Sequence, residues 1–62
     1  MDFSTALIKL KEGKKMARSG WKHTGNHIEI DEGKLFMVGD WGFYVWIHMQ
    51  EDILAEDWYE IA

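Results

Sequence analysis

Cysteine and proline are both missing from these 62 residues, and past Lys22 only one Lys or Arg remains, Lys34. The lack of cysteine excludes disulfides and thiolate metal sites. No apolar run approaches the roughly 18 residues of a membrane-spanning helix. No signal-peptide pattern opens the chain, so the expected location is cytoplasmic. A net charge of −4 argues against a nucleic-acid polymer as partner. No linker, repeat or low-complexity segment divides the sequence, so residues 1–62 read as a single domain.

What is present is aromatic and unevenly charged. A chain of this size buries only about 60% of the surface that its unfolded form exposes. Such domains usually gain robustness from disulfides, a metal or oligomerisation, and here oligomerisation is the route left. Phe, Tyr and Trp fill nine of the 62 positions, four of them Trp. That is more large rings than one small core hides, which points to an interface or a ligand site. Residues 1–22 carry six of the seven Lys/Arg against Asp2 and Glu12, a net +4; the remainder carries Lys34 against nine acids, a net −8. The asymmetry fits two solvated faces that attract each other between subunits, or a local anion-binding patch.

Phe3, Ala6, Leu7 and Leu10 recur at the spacing of an amphipathic helix, with Ser4 as candidate N-cap and Gly13 as its left-handed end. Lys14 to Gly20 reads as a strand with Met16 and Arg18 on one face and Ala17 on the other. Residues 21–26 form a polar loop. His27 to Asp31 alternates, with Ile28 and Ile30 inward, and Asp31 to Lys34 is a tight turn using a positive φ at Gly33. Leu35 to Val38 continues as a strand, and Gly39 to Gly42 turns again. Phe43 to Met49 is apolar on both faces and should be covered twice, by the helix and by a partner subunit. Gln50 to Glu56 suits a short helical turn with acids at its N-terminal end, and Asp57 to Ile61 a last strand. The expected fold is α+β: a short N-terminal helix on a bent antiparallel sheet of about five strands, with a helical turn before the final strand.

No nucleophile-plus-base pair, phosphate loop or dinucleotide fingerprint is present, so no catalytic residue and no cofactor is expected. The adjacent acids Asp31/Glu32, Glu51/Asp52 and Glu56/Asp57 read as solvated or capping groups. His23 and His27 have a spacing seen among zinc ligands but no third ligand nearby, and no metal is expected. Arg18, Trp21, Lys22, Thr24 and Asn26 lie on one strand end and the loop after it. They offer a ring for stacking a base, two cations for phosphate, and small polar groups for base edges or ribose. They fit equally a surface loop whose Trp21 is tucked into the core, and the residues alone leave both readings open.

The run Phe3-x-x-Ala6-Leu7-x-x-Leu10-Lys-x-Gly13-Lys-Lys-x-Ala-Arg18-x-Gly20-Trp21 is followed, near the other end, by Asp52-Ile-Leu-Ala-x-Asp57-Trp58. Together they cover about half the chain and resemble a family of small phage proteins. It contains the second type of Thoeris anti-defence proteins and related anti-CBASS sponges. The resemblance implies a protein that is not an enzyme. It would bind a cyclic nucleotide immune signal in the host cytoplasm and hold it, uncleaved, away from the defence effector. It also implies a homotetramer with pockets where subunits meet. Trp21 would stack on a base, and Gln50 and Asp52 would offer polar contacts from the start of the short helix. Many relatives carry Asn where this chain has Lys22, and many have a longer central insertion. A cation at position 22 suits a cyclic dinucleotide such as 3'3'-cGAMP, ahead of the cyclic ADP-ribose signals of Thoeris defence. A third reading is an inhibitor that targets a defence enzyme directly. The resemblance leaves open whether Trp41, Trp46 and Trp58 line a pocket or pack subunits.

Overall fold

The computed structural model describes residues 1–21, 25–40, 42–47 and 49–61. Helix α1 spans Phe3–Lys11, and its cap is Asp2, not the expected Ser4. Asp2 sits in extended backbone and its Oδ1 accepts the Thr5 amide at 2.9 Å. The apolar stripe explains the shift. Phe3 has to be helical to share a face with Ala6, Leu7 and Leu10, which pushes the cap one residue before it. Ala6 and Leu10 are fully buried, with Phe3 and Leu7 packed beside them. The helix ends as the sequence suggests: Gly13 takes φ +92°, and the Lys14 amide wraps back to the Lys9 carbonyl at 3.1 Å.

Five antiparallel strands follow: β1 Lys15–Arg18, β2 His27–Asp31, β3 Lys34–Gly39, β4 Gly42–Val45 and β5 Trp58–Ile61. Their order in the sheet is β4-β3-β2-β1-β5. The α+β architecture expected from the sequence is thus observed, including the short helix α2, Gln50–Ile53, ahead of β5. Strand β1 is shorter than its pattern. Ser19–Trp21 leaves the ladder in one 3₁₀ turn. Between β2 and β3 both central turn residues are left-handed, Glu32 at φ 51° and Gly33 at φ 76°. This twist matches the flanking strands, and it asks a non-glycine residue to accept a positive φ.

Register sorts the side chains. Met16 pairs with Ile28, Ile28 with Met37 and Met37 with Tyr44, all on the face that α1 covers. Trp58, opposite Arg18, joins that face. The other face carries Lys15, Ala17, His27, Glu29, Phe36, Val38, Phe43, Val45, Tyr59 and Ile61, and Phe36 stacks on Phe43 at 4.4 Å.

The long apolar strand expected over Phe43 to Met49 is cut short. Pairing as β4 stops at Val45; the Trp46 amide makes a last bond to the Leu35 carbonyl, and its ring turns inward against Phe3 and Trp58. Helix α1 lies over β1, β2 and β5, so within the chain it does not cover β4 as the sequence led us to expect. Phe43, Tyr44 and Val45 remain about half-exposed, and Ile47 is 83% exposed. Trp46 and Trp58 are core residues. Trp41 and His48 lie outside the described residues.

Candidate functional site

Trp58 is the centre of an aromatic cluster at one end of the sheet. Phe3 lies 5.3 Å from it, Trp46 6.1 Å and Trp21 5.3 Å, centroid to centroid. Trp21 meets it almost perpendicularly, at 83°. The 3₁₀ turn sets this geometry, because it lifts Trp21 off the end of β1 and lays its half-buried ring over the buried one. Perpendicular ring pairs are favourable beyond their buried area and fix the plane of both indoles.

Beside the rings sits an ion-pair network. Arg18, the last residue of β1, donates from Nε to Asp57 Oδ1 at 2.9 Å and from Nη1 to Asp52 Oδ1 at 2.8 Å. Ser19 Oγ donates to Asp57 Oδ2 at 2.6 Å, and the Ser19 amide to the Asp57 carbonyl at 3.3 Å. The Trp58 indole N–H donates to the Asp52 carbonyl at 2.9 Å. The Arg18 hydrogen bond, then that of Ser19, holds the Asp57 carboxyl at about 2, below the usual carboxylate range. The same contacts, Asp57 first and then Asp52, raise the Arg18 guanidinium above its ordinary value. The three ionised groups sum to one negative charge.

The predicted site residues fall into three positions. Arg18, Asp52 and Trp21 are brought together around Trp58. Asn26 lies at the same end of the sheet, its amide packed over Gly39, where a Cβ would collide with it. Gln50 is exposed on the first turn of α2 and lines an open depression of about 580 Å³ with Ile47, Met49 and Glu51. Lys22 and Thr24 lie outside the described residues.

Sequence reasoning missed Asp57 and Ser19. Asp57 reads as one of two adjacent solvated acids, yet it is bound by Arg18 and Ser19, so that reading is corrected. The same holds for Asp52, which is buried. The available signal was Arg18 itself. A lone arginine closing an apolar strand needs a carboxylate when it is drawn toward the core. Among the described residues no group of three His or acidic side chains is placed to hold a metal. His27 lies 3.7 Å from Glu29 Oε2, and His23 is outside the described residues. Among the described residues no helix is long and apolar enough to cross a membrane.

Comparison with known families matches residues 1–61 to the Tad2-like domain, described as the Thoeris anti-defense 2-like domain. No curated protein matches the chain.

Proposed function

The chain belongs to the family of Thoeris anti-defense 2-like domains, which assigns it an anti-defence role, and from that premise we propose that it acts as a sponge. It binds a cyclic nucleotide immune signal stoichiometrically and does not cleave it. The observation that carries this reading is the Trp21–Trp58 pair. A half-buried indole, fixed at 83° on a fully packed one, is a ready stacking surface for a base.

Stacking supplies only about 1–3 kcal/mol per base. Sequestration at nanomolar affinity needs about −12 kcal/mol. The remainder comes from charge-assisted phosphate contacts and from preorganisation. One 62-residue subunit has little interior to offer a ligand, so the site is completed by a second copy. The exposed Phe43 and Val45 on the helix-free face, with exposed Ile47 and Met49 beyond them in the chain, support this. Apolar patches of that kind mark association surfaces. We place the subunit contacts there, in a homotetramer.

The leading ligand is a cyclic dinucleotide such as 3'3'-cGAMP, whose two phosphates suit the additional cation that the sequence carries at position 22. A cyclic ADP-ribose signal is the second reading, and what supports it is that the family is described by Thoeris anti-defence. Calorimetric titration against both classes tests the proposal. Tight binding of one class, with intact nucleotide recovered after heat denaturation, is the expected result. No binding across the panel overturns it in favour of a protein-targeting inhibitor. Recovery of a cleaved product would mean a hydrolase.

A further inference from the structure

We infer that Arg18 is a positioning residue, which holds Trp21 and α2 in register, and not a phosphate contact. The inference rests on the sponge reading for its functional consequence and on the geometry for its structural one.

The charge count speaks first. Arg18 is bracketed by Asp52 and Asp57 at 2.8 and 2.9 Å. An arriving phosphate would meet a cluster whose net charge is negative, and Coulomb repulsion from two carboxylates outweighs attraction to one guanidinium. Connectivity speaks second. The network touches the elements that carry Trp21, Gln50 and Asp52. Arg18 ends β1, Ser19 opens the turn that holds Trp21, and Asp52 belongs to the helix that presents Gln50. Asp57 precedes Trp58, and the Trp58 indole N–H returns to the Asp52 carbonyl. The loop is therefore closed from Arg18 through Asp52, Trp58 and Asp57. It is locked onto the Trp21 turn by two Ser19 hydrogen bonds. Planar guanidinium matters here, because one side chain reaches two carboxylates on different elements through Nε and Nη1. A lysine ammonium cannot reproduce that fork.

The two roles predict opposite signs. If Arg18 served a phosphate, Asp57 would compete for it, and Asp57→Asn would tighten binding. If Arg18 positions Trp21, Asp57→Asn loosens the turn and weakens binding. The test measures Asp57→Asn and Arg18→Lys, with far-UV circular dichroism to confirm folding. Near-UV circular dichroism of the unliganded protein reports the Trp21–Trp58 arrangement, with Trp21→Phe marking the signal of that pair. Titration with 3'3'-cGAMP and with cyclic ADP-ribose isomers reports binding. We expect both variants to lose the near-UV signal of the pair and to bind about tenfold or more weakly. Asp57→Asn with an unchanged near-UV signal and equal or tighter binding overturns the inference. If the wild-type protein binds none of these nucleotides, the sponge reading fails, and the near-UV result alone still decides whether the clamp exists. Should Asp57→Asn not fold, Ser19→Ala removes a single hydrogen bond from the network. A shift of the same signal supports the clamp, and no shift overturns it.

Discussion

The indole N–H of Trp58 donates to the backbone carbonyl of Asp52, six residues earlier, at 2.9 Å. One buried bond thereby ties the last strand to the short helix, and the ring that makes it is 2% exposed. Trp58→Ala should cost about 3–5 kcal/mol from the cavity alone. Total stability for a domain of this length is on the order of 3–9 kcal/mol, so this variant should lose a third or more of it. Trp58→Phe retains a ring and leaves the carbonyl with the Ala55 amide at 3.4 Å as its remaining donor, at about 0.5–1.5 kcal/mol beyond the lost volume. Denaturant titration of the two variants checks the ranking.

Trp21 should behave differently. It is half-buried and its perpendicular contact is worth about 0.5–1.5 kcal/mol, so Trp21→Ala should fold with a modestly lowered Tm. Its nucleotide affinity should fall roughly 10- to 100-fold. Wild-type affinity in calorimetry would remove the stacking role.

Asp57 links the network to pH. Its folded-state value is depressed to about 2 by Arg18 and Ser19, against about 3.9 for an unfolded aspartate. A depressed carboxylate contributes stability above the unfolded value and loses it as pH falls through the folded one. Stability from this group should therefore be constant above about pH 5 and decline between roughly pH 4 and pH 2. Thermal melts of wild type and Asp57→Asn across that range should converge toward pH 2. A constant gap would show that the ion pair is not the cause.

Gly39 packs under Asn26 with no room for a methyl group. Gly39→Ala should destabilise by about 1–3 kcal/mol through overpacking. Adding Asn26→Ala removes the colliding amide and should recover part of that loss. A double mutant no more stable than Gly39→Ala would place the cost elsewhere.

Val45 lies on the helix-free face at 58% exposure, in the patch that we assign to subunit contact. Val45→Lys puts a charge into that patch and leaves the α1-covered core untouched. Native mass spectrometry should show the assembly dissociating, and nucleotide affinity should fall with it. An unchanged oligomer would move the interface off β4.

The sequence by itself determined the local elements. The stripe of Phe3, Ala6, Leu7 and Leu10, the glycine at position 13 and the alternation around Ile28 and Ile30 each follow from short-range periodicity, and each is found in the structure. The two motif blocks carried the family, since residue types at fixed spacing are legible without a fold. Tertiary structure alone decided which acids matter. Asp52 and Asp57 are 34 and 39 residues from Arg18, and adjacent acids in a sequence look alike until one of them meets a cation across the sheet. It also decided that Trp46 turns into the core while Phe43 and Val45 do not. That choice depends on where a nine-residue helix comes to rest on a sheet wider than itself. Local pattern encodes which faces are apolar; only packing decides which of them the chain can cover.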